Sequence, residues 1–499
     1  MARSFLPLEK FRIAGKGYQL LPFRFHRMNE STEILVNECG EYFFCPMGTA
    51  RNIVRRQIDP NSELYATLKA KQFIYDEYSS PLLDILATKY RTKYEFINGS
   101  TKLHIFVVTL RCDHSCHYCQ VSRQTLNKGE YDMSPEVAKA AVRMMMDSPS
   151  DYLTLELQGG EPLLAFDKIQ VIVSEAKARA AEKSKHLDVV ITSNLAFLSD
   201  EILDYCREEK IKLSTSLDGP EFIHNANRPR PDGDSYQRAV EGIKRARRAL
   251  GSDQVAALMT TTQLSLEYPI EIIDEYVRQS FHTIFLRPIS PYGFALKSKH
   301  KTGYEMEKFL EFYKTGLNHI LEINRKGYHL VEIYSKIILE KILTPDGTRY
   351  VDLQSPAGAG LNVLVYNYDG DVYATDESRM LAEMDDHTFR LGNVSRDSRA
   401  QIFTSPPFVK LLQAACNQSL SGCSDCAFQS FCGSDPIYHH ATQGDLFGHR
   451  ATSGFCRRNM ETIKHLLSLI HNSDNETIDI LWGWVTNRNL NEMRESIPQ

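Results

Sequence analysis

Six short β-prone runs alternate with five helix-like stretches between residues 102 and 295, the apolar runs are of strand length, and a tight cysteine group follows the first of them. Together these observations predict an α/β fold: a parallel sheet in a partial (β/α)6 TIM-like barrel, with the loops after the strands building a site at one end. A winged-helix-like module is expected before the barrel and a smaller cysteine-bearing domain after it.

Residues 1–98 read as the separate amino-terminal module. Two β-prone runs within 33–44 flank a Glu38-Cys39-Gly40 turn, the pattern of a hairpin, and helical stretches follow at 62–77 and 80–91. The barrel occupies 99–300, with strands expected at 103–110, 153–158, 188–193, 212–217, 255–261 and 282–289. Helices between them are expected at 134–146, 166–182, 200–209, 236–250 and 268–279. A helical bridge over 301–345, led by 304–324, connects to a third region, 346–465, whose cysteines lie between Cys416 and Cys456. The tail, 466–499, turns polar after Asn472 and is expected to be peripheral. No internal repeat or low-complexity segment interrupts this order.

The 499 residues suffice for two or three domains, and 42% apolar with 24% charged residues is ordinary for a soluble chain. A formal charge of −5 without a basic stripe argues against a nucleic-acid surface. No 18-residue apolar run suggests a membrane span, and residues 1–10 show neither an apolar core nor a cleavage-site pattern of an export signal. The eleven cysteines fall mostly in two groups, which fits metal ligation in a reducing cytoplasm better than a disulfide framework.

Cys112, Cys116 and Cys119 stand in Cys-x3-Cys-x2-Cys spacing in the loop leaving the first strand. Three thiolates hold three irons of a cubane [4Fe–4S] cluster, whereas an electron-transfer cubane normally takes four. The fourth iron is then open to a small molecule, as a catalytic zinc keeps an open position. The plain alternative is a zinc knuckle or three unrelated thiols, although zinc favours paired Cys-x2-Cys motifs. Gln158-Gly-Gly-Glu-Pro162 follows the second strand: its glycines suit a close backbone approach to a ligand, and the Glu161 carboxylate suits an ammonium group. Alone, this run also reads as an ordinary strand-to-helix turn.

The cysteine loop with Tyr118 before its last cysteine, followed by Gly159, Gly160, Glu161 and Pro162, resembles the radical S-adenosylmethionine (SAM) superfamily. The resemblance implies that SAM chelates the open iron through its amino and carboxylate groups and that the Gly-Gly-Glu-Pro segment contacts its amine. It also implies that Ser193 and Asn194 lie against the ribose. The run from Ser214 to Arg228 resembles the Ser-Leu-Asp-Gly-Pro signature of peptide- and protein-modifying members, which places Ser216 and Asp218 toward SAM and Arg228 on its carboxylate. Arg228 reads equally as a surface residue, and Arg230 competes for the role.

Cys423, Cys426, Cys432 and Cys456 form a second group able to close a site completely, as zinc or as a cubane. It resembles the SPASM extension of radical SAM peptide maturases, also found in shortened, twitch-like form, which usually carries seven cysteines and two auxiliary clusters. Ser355, Thr375 and Asp435 stand where three of those cysteines are expected. All three losses fall on one cluster, so two [4Fe–4S] clusters are expected in total, one for SAM and one auxiliary. A structural zinc ribbon is the alternative for this group, and either metal would tie the region together. Cys416 is a spare ligand or, more simply, a buried thiol, as are Cys39, Cys45 and Cys206. His439, His440 and His449 read as surface residues or as supports behind the ligands.

The amino-terminal module resembles the recognition elements of peptide maturases, in which a leader peptide adds a strand to a sheet edge; the plain reading is an accessory cap. Over most of the chain the sequence resembles the His-Xaa-Ser system maturases (HxsB), through the runs 21–25, 286–295 and 432–438. Implied is a 5′-deoxyadenosyl radical that abstracts hydrogen from a ribosomally made peptide and installs an oxidative modification, expected to be a cross-link. An external electron donor such as flavodoxin or ferredoxin, and neither nucleic acid nor membrane, is the expected partner. Arg287, Tyr292 and Asp376 are candidates for substrate contact; no base is assigned. An anaerobic sulfatase maturase, making formylglycine, and a non-catalytic iron–sulfur peptide-binding protein are the alternatives.

Overall fold

The computed structural model describes residues 17–76, 80–124, 128–348 and 350–495. The first ten residues, read above for an export signal, lie outside that range, as do Glu77 at the expected helix end and the last four residues of the tail.

Three antiparallel strands, Phe23–Arg27, Thr32–Asn37 and Tyr42–Pro46, form a sheet near the start of the described chain, with Thr32–Asn37 in the middle. The expected hairpin is there, and its turn is held by Asn37 Oδ1, which accepts from the backbone N–H of Cys39 and of Glu41, both at 3.0 Å. Gly40 takes φ +90° in that turn, a conformation that favours glycine. The middle strand is buried on both faces: Leu35 joins a small core with Ile53, Leu68 and Phe73, while Ile34 and Val36 join the main core. The helix expected over 62–77 ends at Ala70. Gln72 turns at φ +55°, and Ile74–Tyr75 pair antiparallel with Gln19–Leu20, because the apolar Phe73 and Ile74 are drawn into the small core.

The mixed α/β body is built on one eight-stranded sheet. Five barrel strands, Leu103–Thr109, Tyr152–Gly159, His186–Thr192, Lys212–Ser216 and Val255–Leu258, pair in parallel in chain order. The first of them is buried almost throughout, whereas the other four alternate buried with more exposed positions. The sixth run shrinks to Thr283–Ile284, paired with Val331–Glu332, and its extension reaches the sheet only through a parallel bridge between Thr261 and Pro288. Pro288 and Pro291 have no backbone N–H with which to extend a ladder.

The free side of the first barrel strand is taken by the third region. Val363–Tyr366 pairs parallel with Leu103–Phe106, Asp371–Tyr373 returns antiparallel through a turn with Gly370 at φ +87°, and Arg390–Asn393 completes the edge. His104 pins this junction, its Nδ1 3.0 Å from the Tyr366 hydroxyl and its Nε2 3.3 Å from the Thr101 carbonyl. The tail after Asn472, expected to be peripheral, is packed instead. Helix Asn475–Thr486 buries Ile480, Leu481 and Trp484 against helices Met306–Arg325 and Ile333–Leu343. Its apolar residues fall at i, i+1 and i+4, one helical face that the surrounding polar residues obscure. No described helix is long and apolar enough to cross a membrane.

Candidate active site

The loop carrying Cys112, Cys116 and Cys119 leaves the first barrel strand and is braced from several directions. Arg111 forms a two-point ion pair with Asp132, at 2.7 and 2.8 Å, and donates to the Leu164 carbonyl at 2.9 Å. The N–H of Ser115 donates to Pro229 O, that of His117 to Asn227 O, and that of Phe294 to Cys119 O. Gly159 and Gly160 press on the root of the loop: a Cβ on Gly159 would lie 2.0 Å from the Thr109 oxygen, and one on Gly160 2.3 Å from the Arg111 oxygen. The close approach these glycines make is thus to the cysteine loop. Gly160 N–H donates to Thr109 O and Glu161 N–H to Arg111 O, both at 2.8 Å. Gly293, not singled out in the sequence, does the same from the other side, at φ +59° with its Cβ position 2.5 Å from Gln120 O.

All three cysteines are half-buried and free of disulfides. Burial raises the Cys112 thiol well above its ordinary range, and the neighbouring Cys116 and Glu161 add to the rise. Cys116 is pushed up to about 12 by burial and by Cys119 and Asp218, with Arg228 pulling the other way. Cys116 is thus within electrostatic reach of both Cys112 and Cys119. Asp113 and His114 bring ligand-type atoms within 4.8 Å of the Cys112 sulfur. Both are committed elsewhere: Asp113 Oδ1 accepts from Asn194 Nδ2 at 2.8 Å and Asp113 Oδ2 pairs with Arg230. His114 Nε2 lies 2.9 Å from Ser235 Oγ, which also meets His224 Nε2 at 3.2 Å. This buried Asp113–His114–Ser235–His224 network was not foreseen, since its members meet only in the fold.

The other site candidates gather in two clusters beside the loop. Glu161 is fully buried and accepts from Leu163 N–H at 2.9 Å, from Ser193 Oγ at 2.8 Å and from Asn194 N–H at 2.8 Å. A carboxylate has roughly four acceptor sites, so about one remains for an ammonium group. Burial nevertheless dominates and raises its pKa to about 7. In the second cluster the fully buried Asp218 accepts from Tyr118 Oη at 2.6 Å and from Arg228 Nε at 3.1 Å. The Arg228 guanidinium lies 5.2 Å from the Tyr118 ring centre. Burial works to lower the Arg228 pKa, but Asp218, Tyr118 and Cys116 outweigh it and hold the group above its usual range. The two candidate arginines separate, Arg228 on Asp218 and Arg230 on Asp113 and Asp234. Ser216 ends the fourth strand, and its hydroxyl makes no hydrogen bond among the described residues.

The second thiol group lies in the third region. Cys426 N–H donates to Cys423 O, and Cys456 sits in the first turn of helix Gly454–Asn472, its N–H donating to the Ser453 cap at 3.1 Å. Burial pushes the Cys456 thiol to about 12, with Cys432, Cys423 and Cys426 as the next causes, so each of those three thiols acts on it electrostatically. Donors point at them: Arg450 Nε lies 2.9 Å from the Cys423 sulfur and Asn459 Nδ2 3.6 Å from that of Cys432. Such contacts favour thiolates and suit a closed metal or cluster site. His439 is buried and contacts the Arg450 guanidinium, whereas His449 is exposed. Ser355, Thr375 and Asp435 have other work: Ser355 Oγ bonds Gln418 and Asn417, Thr375 closes a capping box on helix Asp376–Ala382, and Asp435 caps helix Pro436–Gln443. Cys416 shows no influence from the other thiols, only burial. Asp376 pairs with Arg379 at 3.1 Å.

Residues 106–284 match the family model described as the radical SAM superfamily. An uncharacterized protein of Methanocaldococcus jannaschii is 30% identical over 129 residues, 26% of this chain and 42% of that protein, so the chain spans less than half of that relative. A cysteine-type anaerobic sulfatase-maturating enzyme of Clostridium perfringens is 23% identical over 323 residues, 60% of this chain and 80% of that enzyme. Among solved structures, anSMEcpe with bound AdoMet aligns with a TM-score of 0.60 at 16% identity, covering 74% of this chain and 99% of that one. Streptococcus suis SuiB bound to precursor peptide SuiA aligns with a TM-score of 0.51 at 14% identity, covering 87% and 98%. At these identities the two structures show the shared fold. Residues 106–284 match a radical SAM domain, which implies a [4Fe–4S] cluster and SAM and favours an enzyme over a non-catalytic binding protein.

Proposed function

We propose that this radical SAM enzyme matures a ribosomally made peptide, installing an oxidative cross-link in it. The observation that carries the chemistry is the three-thiol loop flanked by the Glu161 and Asp218–Arg228 clusters; three thiolates would leave one iron of a cubane open to a further ligand. Cys112, Cys116 and Cys119 would hold the SAM-binding cluster. Glu161, ringed by Ser193 and Asn194, has one acceptor site for the SAM ammonium, and Arg228, fixed through Nε by Asp218, keeps its remaining N–H groups for the SAM carboxylate. Ser216, at the strand end, is assigned to the same wall. When bound, the cluster and SAM supply a 5′-deoxyadenosyl radical that takes a hydrogen atom from the substrate, with the reducing electron coming from a flavodoxin- or ferredoxin-type donor.

Cys423, Cys426, Cys432 and Cys456 would hold one auxiliary [4Fe–4S] cluster, as an electron acceptor or as a brace for the fold. A single such cluster is supported by Ser355, Thr375 and Asp435, which stand where thiols would be needed for another and whose side chains serve turns and helix caps. The peptide reading draws on the amino-terminal sheet, which docks on the auxiliary loop through Arg24 to the Ser424 carbonyl and His26 against the Phe428 ring at 4.9 Å. SuiB, of similar fold, has been captured with its precursor peptide. Within the superfamily, the runs 21–25, 286–295 and 432–438 support a place among the His-Xaa-Ser system maturases. The sulfatase-maturase relatives favour a second reading, oxidation of one cysteine or serine to formylglycine.

The test is anaerobic reconstitution followed by iron and sulfide analysis, SAM cleavage and mass spectrometry of a co-expressed candidate peptide. Under our reading the wild type holds about eight irons and the Cys112→Ala/Cys116→Ala/Cys119→Ala variant about four, with SAM cleavage lost. Loss of two hydrogens spanning two residues supports a cross-link; an aldehyde confined to one residue supports formylglycine. Zinc in place of the retained irons would end the auxiliary-cluster assignment.

A further inference from the structure

Beside the cysteine loop lies a cavity that the proposed chemistry does not use. Its floor is the chain after the sixth barrel run, Arg287 to Tyr292, and its walls come from the bridge and the third region. It shares the active-site face, because Gly293, next to Tyr292, abuts the backbone of Cys119 and Gln120. Three carboxylates line it: Asp352, Glu377 and Asp435. Those of Asp352 and Glu377 accept no side-chain hydrogen bond and form no ion pair among the described residues. Asp435 accepts only the backbone N–H of Tyr438, at 2.9 Å.

A separate observation bears on the same cavity. Tyr292 is 2% exposed and its hydroxyl has no hydrogen-bond partner. Asp435, Glu377 and Asp352 all press on that hydroxyl electrostatically, yet none accepts from it. An orphaned buried hydroxyl is destabilising, and a ligand reaching it would supply the missing partner. Of the two guanidiniums in the walls, that of Arg458 is occupied by Asn459 at 3.1 Å and by the faces of Tyr334 and Phe455 at 5.2 and 5.3 Å. Arg458 still acts on Asp352 and Asp435 across space and Arg287 acts on Glu377, so two guanidiniums face three carboxylates. Burial, followed by repulsion from Asp352, holds both Glu377 and Asp435 above the usual carboxylate range. The rings of Tyr350 and Tyr438 add the negative faces that cations favour.

We propose that this cavity seats a cationic side chain, lysine or arginine, of the substrate peptide, anchoring it beside the reacting residue. The inference rests on the reading of a peptide as substrate. A seated cation relieves the carboxylate repulsion, gives Tyr292 a partner and fixes the register of the peptide at the barrel mouth.

The test uses the reconstituted full chain with SAM present and two probes, Nα-acetyl-lysine methylamide and its neutral counterpart Nα-acetyl-norleucine methylamide. Calorimetry is expected to show saturable binding of the lysine probe about tenfold or more tighter than of the norleucine probe. In a Glu377→Gln/Asp435→Asn variant, where asparagine still caps the helix, the preference should shrink to about twofold or less with iron content and SAM binding intact. Equal binding of the probes, no saturable binding, or a preference that survives in the variant would overturn the inference. Should the variant lose iron, the wild-type comparison still decides. The readout needs no turnover, so an enzyme that cleaves SAM but shows no preference defeats the cavity assignment alone. An enzyme that never cleaves SAM defeats the proposed function instead.

Discussion

Replacing Gly160 by alanine adds one carbon atom where the backbone leaves no room. The Cβ would stand 2.3 Å from the Arg111 oxygen and 2.7 Å from the Leu110 oxygen. To reach 3.0 Å the carbonyl must retreat by about 0.7 Å, and it belongs to backbone held by the Arg111–Asp132 ion pair, which cannot swing aside as a side-chain tip would. The hydrogen bonds from Gly160 N–H and Glu161 N–H, each 2.8 Å, would stretch past useful length. At about 1 kcal/mol each, with about 1–3 kcal/mol for the overlap, the local cost is roughly 3–5 kcal/mol, concentrated next to Cys112. The fold should survive, while the three sulfurs lose register. A misplacement of about 1 Å at reacting groups costs on the order of a hundredfold in rate. Iron per chain should fall toward the four-thiol share, and 5′-deoxyadenosine formation by about a hundredfold or more. Gly17→Ala, where nothing lies within 4 Å, serves as the control. A Gly160→Ala enzyme with full iron and wild-type SAM cleavage would show that the glycine pair does not hold the loop.

Arg228→Gln leaves the fully buried Asp218 without its cation, and thermal unfolding should report a loss of about 3–5 kcal/mol, mostly restored in the Arg228→Gln/Asp218→Asn double variant; no rescue would mean the arginine acts by packing. Burial lowers the pKa of His104 from 6.5 to about 3, so below pH 6.5 the unfolded chain takes a proton that the folded one refuses. Stability from this group is therefore whole above pH 6.5 and lost as pH falls toward 3, at about 1.4 kcal/mol per pH unit. His104→Gln should flatten the melting-temperature profile between pH 6 and 5, and an unchanged slope would place the acid sensitivity elsewhere. Trp484→Ala empties a fully buried site and should cost about 3–5 kcal/mol in denaturant unfolding; a surface-like loss under about 0.5 kcal/mol would mean the carboxy-terminal helix does not dock in solution.

Much of this architecture is legible because it is local. The first strand shows as an uninterrupted apolar run, and helix Phe166–Glu182 ends where its apolar period ends, so both fall within a residue or so of expectation. The cysteine spacings and the Gly-Gly-Glu-Pro run are local as well. What stayed hidden depends on distant partners. Strand Phe23–Arg27 is too short and polar to announce itself until it pairs with Thr32–Asn37. The shrinkage of the sixth run follows from two prolines whose effect depends on whether a neighbour needs their missing N–H groups. His114, Ser235 and His224 look unrelated 121 and 11 positions apart, yet meet at one hydroxyl. Trp484 lies in a stretch whose polarity masks the face it buries.

The pairing of Val363–Tyr366 with Leu103–Phe106 bears on how the protein can be divided. Without it the first barrel strand would be a lateral edge, with unpaired N–H and C=O groups and an apolar run behind them, the kind of edge that recruits other chains. The segment carrying the second thiol group thus shields the strand that delivers the first. A fragment ending before residue 363 would be expected to aggregate rather than stand as a catalytic domain, and exchange of the carboxy-terminal part between relatives would have to carry this strand along. The two thiol-bearing halves are in that sense one unit of folding and of inheritance.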